Sequence, residues 1–281
     1  MTAFKCKSCG ATIYKETKDA VVCEYCGSNQ LLKTKEIKKS IPKTKLKVQY
    51  VAVAVVTIIM LLALFIYKYT VPSMSMAHVS KPSGASITFG INIHHGASFP
   101  GMKKLLEEAG VSTILIESKL TAKSLKNLDV LSLFGVTKDF DQNEIKLIRD
   151  FVNSGGNLIV AAQAWSWTYK AYGNKPIETF PLNKLGKQLG FWITKYNIHA
   201  PIHLNEDLKK IIPKIICKNW APSKISFEGK KYKTFMRDKQ YRLIAGSMNY
   251  GEGKIILLGH NGIFHENPNL LLYLLKYLYK K

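Results

Sequence analysis

The sequence has very little arginine. Its 41 basic side chains include only Arg149, Arg237 and Arg242, and the others are lysines spread along the chain. Base reading and bidentate phosphate contact favour arginine over lysine. The formal net charge of +22 therefore indicates a lysine-rich solvated surface and argues against a nucleic acid as the partner.

Charge is missing altogether from residues 48–67, which read VQYVAVAVVTIIMLLALFIY. A run of about 20 apolar residues, at a rise of ~1.5 Å per residue, matches the ~30 Å hydrocarbon core of a lipid bilayer. A buried helix of a water-soluble protein would normally show a polar stripe, and this run has none. The pattern predicts one transmembrane helix over residues 48–67.

The lysines around this run predict its orientation. The preceding segment, 33–47, is strongly basic, whereas only Lys68 and Lys81 follow the run closely within the linker at 68–86. Positive charge favours the cytoplasmic side, so we expect a single-pass cell-membrane protein with a cytoplasmic N-terminus and an extracytoplasmic C-terminal domain. A cleaved signal peptide is the alternative, but the run is too long for its apolar region.

Cysteine is also scarce, and four of the five cysteines form two Cys-x-x-Cys-Gly knuckles, CKSCG and CEYCG, at Cys6, Cys9, Cys23 and Cys26. Four thiolates at this spacing can close a tetrahedron around Zn²⁺. Two disulfides would need an oxidising compartment, which the expected cytoplasmic location does not provide. Residues 4–30 resemble the zinc-ribbon family, with ATIYKE and DAVVC as hairpin strands. We therefore expect a zinc ribbon over 1–32, acting as a compact adaptor or contacting a cytoplasmic protein partner.

Residues 87–281 alternate short apolar runs with helical segments. The predicted strands are ITFGINI, VSTILIE, VLSLFGV, LIVAA and KIILLG, and helices are predicted near 102–109, 121–126, 141–153 and 269–279. Such alternation favours an α/β domain with a mainly parallel sheet covered on both faces. Asp141 and Glu144 form a capping-box pattern at the start of the third helix. The sequence of residues 190–240 predicts a mixed insertion with a helix near Asp207 and a β-ribbon over 227–235.

The run LDVLSLFGVTKDFDQNEIKLIRDFVNSGGNLIVAAQAWSW, with FPLNKLGKQLGFWIT and YGEGKIILLGHNGIF, resembles the class I glutamine amidotransferase-like domain. More closely, it is similar to the version that precedes the metallopeptidase domain in enhancin-like proteins and TRP-channel-associated factors. The resemblance covers most of 87–281 and implies a flavodoxin-like three-layer sandwich. The metallopeptidase motif His-Glu-x-x-His is absent from the sequence.

The catalytic cysteine of amidotransferases is missing from its expected place. That cysteine lies on a strained strand-to-helix elbow, but here LIVAA leads into Gln163, Ala164 and Trp165. Cys217 lies in the insertion and is interpreted as a small buried residue. Ser166 has no Gly-x-Ser-x-Gly context.

Histidines supply the remaining candidates for chemistry. His260, His265 and Glu266 follow the strand KIILLG, where a catalytic histidine would lie, although loop-fixing hydrogen bonds are the alternative role. His94 and His95 could bind a metal with Glu117, but adjacent strand residues point to opposite faces.

Aromatic side chains follow LIVAA at the predicted carboxyl end of the sheet, where ligands of open α/β sheets gather. We predict a ligand-binding surface formed by Gln163, Trp165, Trp167 and Tyr169, whose rings could stack on sugars or peptides. The alternative is that this loop folds onto the sheet and buries its rings.

The expected function is a non-enzymatic binding, sensing or scaffold protein anchored in the membrane. Its positive outer domain would suit an anionic envelope polymer or glycan, and its ribbon a cytoplasmic protein. The alternative is a hydrolase or amidotransferase of altered mechanism that acts on envelope glycan or peptide.

Overall fold

The structure is a computed structural model that describes residues 14–16, 20–23, 29–31, 78–99, 101–169, 173–198, 201–212, 215, 221–229 and 231–280. Contacts between residues divide the chain into two units, 1–76 and 77–281.

The N-terminal unit contains a three-stranded antiparallel sheet. Its strands are β1 (Tyr14–Glu16), β2 (Ala20–Cys23) and β3 (Asn29–Leu31), in the order β1-β2-β3. Tyr14 lies opposite Cys23, so the hairpin predicted between the two cysteine knuckles is confirmed. Cys6, Cys9 and Cys26 lie outside the described residues, and the zinc site stays a prediction.

The second unit alternates strands and helices, as the sequence predicts. Its strands are β4 (Thr88–Asn92), β5 (Ser112–Ile116), β6 (Val130–Phe134), β7 (Asn157–Ala161), β8 (Phe191–Asn197), β9 (Ile202–Leu204), β10 (Ser223–Phe227), β11 (Tyr232–Asp238), β12 (Leu243–Tyr250) and β13 (Gly253–Leu258). Its α-helices are α1 (Met102–Glu108), α2 (Ala122–Leu125), α3 (Gln142–Asn153), α4 (Pro181–Leu189), α5 (Glu206–Ile211), α6 (Ile263–Glu266) and α7 (Pro268–Tyr279). Short 3₁₀ helices cover Ala164–Thr168 and Ile177–Thr179.

An eight-stranded sheet organises this unit, in the order β5-β4-β6-β7-β13-β12-β11-β9. The strands from β5 to β13 are parallel, as predicted, whereas β12, β11 and β9 are antiparallel. The change of direction occurs at the tight turn between β12 and β13, where Gly251 has a φ of 56°. That left-handed conformation suits glycine because it has no Cβ.

Helices cover both faces of the sheet. On one face, Met102 and Leu106 of α1 and the leucines of α7 pack with Phe89 and Ile91 of β4. On the other face, the apolar sides of α3 and α4 pack with Leu131 and Leu158 of the central strands. All five residues of β6 and of β7 are buried, as expected for strands covered on both faces.

The region 190–240 differs from its prediction. The helix near Asp207 is present as α5, but the expected β-ribbon over 227–235 does not form. Instead, β10 pairs with β8 in a separate two-stranded sheet, and β11 pairs with β12 and β9. Thus β10 pairs with a strand distant in sequence, which local turn signals do not reveal, whereas β11 forms a hairpin with the next strand, β12, and also pairs with the earlier β9.

The prediction of a transmembrane helix is corrected. No helix in the described ranges is long and apolar enough to cross a bilayer, since α3 and α7 have only 12 residues and a span needs about 20. The predicted span, 48–67, lies outside those ranges. A single-pass cell-membrane protein is therefore not supported. The supported fold is a mixed α/β unit built on a large sheet.

Candidate functional site

Four loops meet at the carboxyl end of the parallel strands, where the sequence predicts a site. They follow β4, β6, β7 and β13 and are joined by backbone hydrogen bonds. The amide of Ala97 donates to the carbonyl of Phe134 at 2.8 Å, and that of Ala162 donates to Leu258 at 3.1 Å. Gly135 has a φ of 54° and lies beside the side chain of Asn261. These contacts fix the loops to one another.

A buried His95–Glu144 pair lies among these loops. His95 Nε2 is 3.2 Å from Glu144 Oε1, and the two side chains are only 1% and 2% exposed. The same carboxylate accepts hydrogen bonds from the amides of Leu120 at 2.8 Å and Asp141 at 3.0 Å. The capping box predicted from Asp141 and Glu144 is confirmed, and its glutamate also joins α3 to the loop after β4.

Asn92 and Phe140 complete the surroundings of His95. Asn92 Oδ1 accepts the His95 amide at 3.0 Å, and the Phe140 ring stacks on the imidazole at 4.3 Å. Burial lowers the pKa of His95, and the nearby Glu144 carboxylate opposes that shift. The sequence offered His95 and Glu144 separately, but their pairing depends on a loop geometry that spacing does not show. Because the pair is enclosed, it is suited to holding loops together rather than to binding a substrate.

The metal site suggested for the two adjacent histidines is wrong. His94 Nδ1 lies 3.2 Å from the backbone carbonyl of Glu117, not from its carboxylate. Across the described ranges, no group of three or more His, Cys, Asp or Glu side chains is placed to hold a metal ion.

The backbone after β7 lacks the elbow of an amidotransferase. Gln163 has φ −107° and ψ 89°, outside the left-handed region, and a 3₁₀ helix follows it directly. In the described part of the chain, the only residues other than glycine with positive φ are Asn174 and Tyr241. The Ser166 hydroxyl donates to the Gln163 carbonyl at 2.7 Å and closes a local turn. The strained presentation of a nucleophile is therefore not formed here.

The aromatic residues after β7 divide between the core and the surface. Trp167 is 6% exposed and its Nε1 donates to Thr179 Oγ1 at 3.0 Å. Trp165 is half-buried, with its Nε1 donating to the Ala221 carbonyl at 2.5 Å. Tyr169 is 56% exposed and meets Trp165 edge to face at 5.2 Å. Ligand binding by these residues and by Gln163, whose amide reaches the Ala221 carbonyl at 3.4 Å, stays a prediction.

The three candidates after β13 lie in different surroundings. His260 is buried, and burial lowers its pKa to about 3. His265 is exposed on α6, and Glu266 is half-buried at the end of that helix. A histidine held neutral in the core is a poor proton acceptor near pH 7, so His260 is better suited to a structural role.

The edge strand β5 provides an open surface on the same unit. It pairs with β4 on one side, and no strand of the described residues pairs with its other side. Ile114 and Leu115 are 41% and 44% exposed. Because successive strand residues point to opposite faces, the exposure of both shows that neither helical layer covers this edge. The sequence predicts the strand itself, but its position at the edge emerges only from the sheet order.

Known proteins resemble this chain over a region that includes β5. Residues 101–207 match the family model described as "TRPM8, N-terminal domain". The TRPM8 channel-associated factor homolog of Xenopus laevis is 26% identical over 167 residues, which cover 52% of this chain and 18% of that protein. Human TRPM8 channel-associated factor 1 is 40% identical over 55 residues, covering 20% of this chain and 6% of that protein. The aligned stretches thus span only a small part of these relatives.

One solved structure shows the same general fold. The chain titled mmIFT52 N-terminal domain superposes with a TM-score of 0.50 at 15% identity, covering 69% of this chain and 98% of that one. Its title does not describe an amidotransferase, and the backbone after β7 of this chain does not form the nucleophile elbow. The prediction of an amidotransferase-like fold is therefore corrected. Over residues 101–207, the chain is similar to the N-terminal domain family of the TRPM8 channel-associated factors.

Proposed function

We propose that this chain is a protein-binding subunit that associates with a channel protein through the edge strand β5. The relatives are named for association with the TRPM8 channel, and β5 lies within the matched region. The observation that carries the proposal is the uncovered edge, with Ile114 and Leu115 exposed on its two faces.

The geometry of β5 also indicates the kind of segment it would bind. Natural edge strands are usually protected by charged residues, proline or bulges, whereas Ser112–Ile116 reads STILI and has no charge or proline. Its outward backbone N–H and C=O groups can be satisfied by another extended chain. We therefore infer that an extended segment of the partner adds to β5 as a further strand, with apolar side chains against Ile114 and Leu115.

Co-precipitation with the TRPM8 channel tests this proposal. The full chain should capture the channel, and the double variant Ile114→Lys/Leu115→Lys should lose at least 90% of the capture, roughly the tenfold loss expected when edge lysines block strand addition. Both side chains are exposed, so the variant should keep the circular dichroism spectrum of the wild type.

Tyr196→Lys is the matched control, because it replaces another exposed large side chain, 62% exposed, on the separate sheet. Unchanged capture by this control is expected. The proposal fails if the wild-type chain captures no channel, or if the β5 variant captures as much as the control.

A further inference from the structure

A second open surface is a cavity of about 780 Å³ between α5, α7, β11 and the segment at 78–82. Four lysines line it, and we call it the lysine groove: Lys210, Lys233, Lys276 and Lys280. Its volume lies within the range of about 300–1,000 Å³ typical of ligand sites.

The charge of the lysine groove is poorly compensated. Lys233 forms an ion pair with Asp207 at 3.2 Å, and among the described residues that line the cavity Asp207 is the only one with a carboxylate. Lys210, Lys276 and Lys280 have no ion pair with any carboxylate in the described ranges. A concave surface with one sign of charge raises the local concentration of oppositely charged ligands.

Aromatic rings form the wall between these lysines. Tyr277 is held in place because its hydroxyl hydrogen-bonds Ser247 Oγ at 2.8 Å and its ring packs edge to face on Phe235 at 4.8 Å. Tyr273 is 8% exposed, and burial, with a smaller effect of Asp207, raises its pKa to about 12. Its hydroxyl therefore stays neutral at physiological pH.

The pattern of α7 accounts for the mixture of lysine and tyrosine. Lys276 and Tyr277 follow Tyr273 by three and four residues and share one face of α7 with it, and Lys280 comes directly after the helix, whereas Leu270, Leu271, Leu274 and Leu275 are fully buried. Ile211, at 38% exposure, adds an aliphatic side chain from α5. The groove is thus lined by aromatic and aliphatic side chains together with lysines.

We propose that the lysine groove binds an acidic segment of another protein. An apolar or aromatic side chain of the segment packs against Tyr277 and Ile211, while its carboxylates face Lys276, Lys280 and Lys210. The size and apolar wall favour such a segment over a lone phosphate ion. A second copy of this chain is disfavoured, because its net charge of +22 would be repelled. This surface is separate from β5 and goes beyond the channel association proposed above.

Fluorescence anisotropy with a labelled acidic peptide, EELEYEE, tests the proposal on the full chain at low salt. The peptide should bind, and the variant Lys276→Gln/Lys280→Gln should weaken binding about tenfold, since two exposed charge pairs are lost. Ile211→Ser should weaken it about threefold through the lost apolar contact. The uncharged peptide QQLQYQQ should not bind.

The matched control is Lys123→Gln/Lys126→Gln, which removes the same charge from exposed positions on and after α2. It should bind EELEYEE within twofold of the wild type. Equal weakening by the control, or equal binding of QQLQYQQ, would overturn the proposal. It is also overturned if inositol hexakisphosphate binds with groove-dependent affinity while EELEYEE does not, because the site would then serve a small polyanion. No step uses the channel, so this result is independent of the proposed function.

Discussion

Acid should destabilise the C-terminal unit through His260. This ring is 8% exposed, and burial lowers its pKa to about 3. The unfolded chain binds the proton first, with a pKa of about 6.5, so stability present above pH 6.5 is lost as the pH falls toward 3. Between pH 7.5 and pH 5 this single group should cost about 2 kcal/mol of the free energy of unfolding.

Urea unfolding followed by tryptophan fluorescence measures this cost. At a slope of about 2 kcal/mol/M, the wild-type midpoint should fall by about 1 M more between pH 7.5 and pH 5 than that of His260→Gln. The lowered pKa of His95 acts in the same direction, but His95 is present in both proteins and cancels from the comparison.

The variant His265→Gln tests whether loss of any histidine has this effect, because it removes an exposed ring from α6. Its midpoint should change with pH as the wild-type midpoint does. The proposed effect of His260 is refuted if the urea midpoints of His260→Gln and the wild type fall by the same amount between pH 7.5 and pH 5, whatever their absolute stabilities.

Three further predictions follow from the site and the ribbon. Glu144→Ala should lower the unfolding free energy by about 3 kcal/mol, since two backbone amides lose their acceptor, and a urea midpoint unchanged from the wild type would contradict it. Trp167→Ala should cost about 4 kcal/mol in the same assay and Trp165→Ala clearly less, because only the first ring lies in the core. The purified chain should contain about one zinc ion per molecule by mass spectrometry, and Cys23→Ser should lose it; a metal-free wild type would count against the ribbon.

Local sequence signals located most elements of the C-terminal unit. The Asp141–Glu144 capping box sets the start of α3, and the short, mainly apolar runs give β6 and β7. These features depend on hydrogen bonds and burial patterns within a few residues, so periodicity and capping chemistry reveal them.

Long-range features were not predictable in the same way. The pairing of β10 with β8, the edge position of β5 and the contact between His95 and Glu144 join residues distant in sequence. The lysine groove likewise combines α5 with α7, whose lysines read along the sequence as ordinary solvated surface. A single sequence shows which side chains are available, but not which of them the sheet order brings together.

The central position of β13 has a consequence for synthesis of the chain. Ile256 and Leu257 pair with Ile159 and Val160, almost a hundred residues earlier. Until the ribosome has produced β13, the largely apolar strand β7 is the open edge of a four-stranded parallel sheet, and α7 is not yet available to cover one face. A nascent or truncated chain that ends before residue 253 should therefore be prone to aggregation and depend on chaperones.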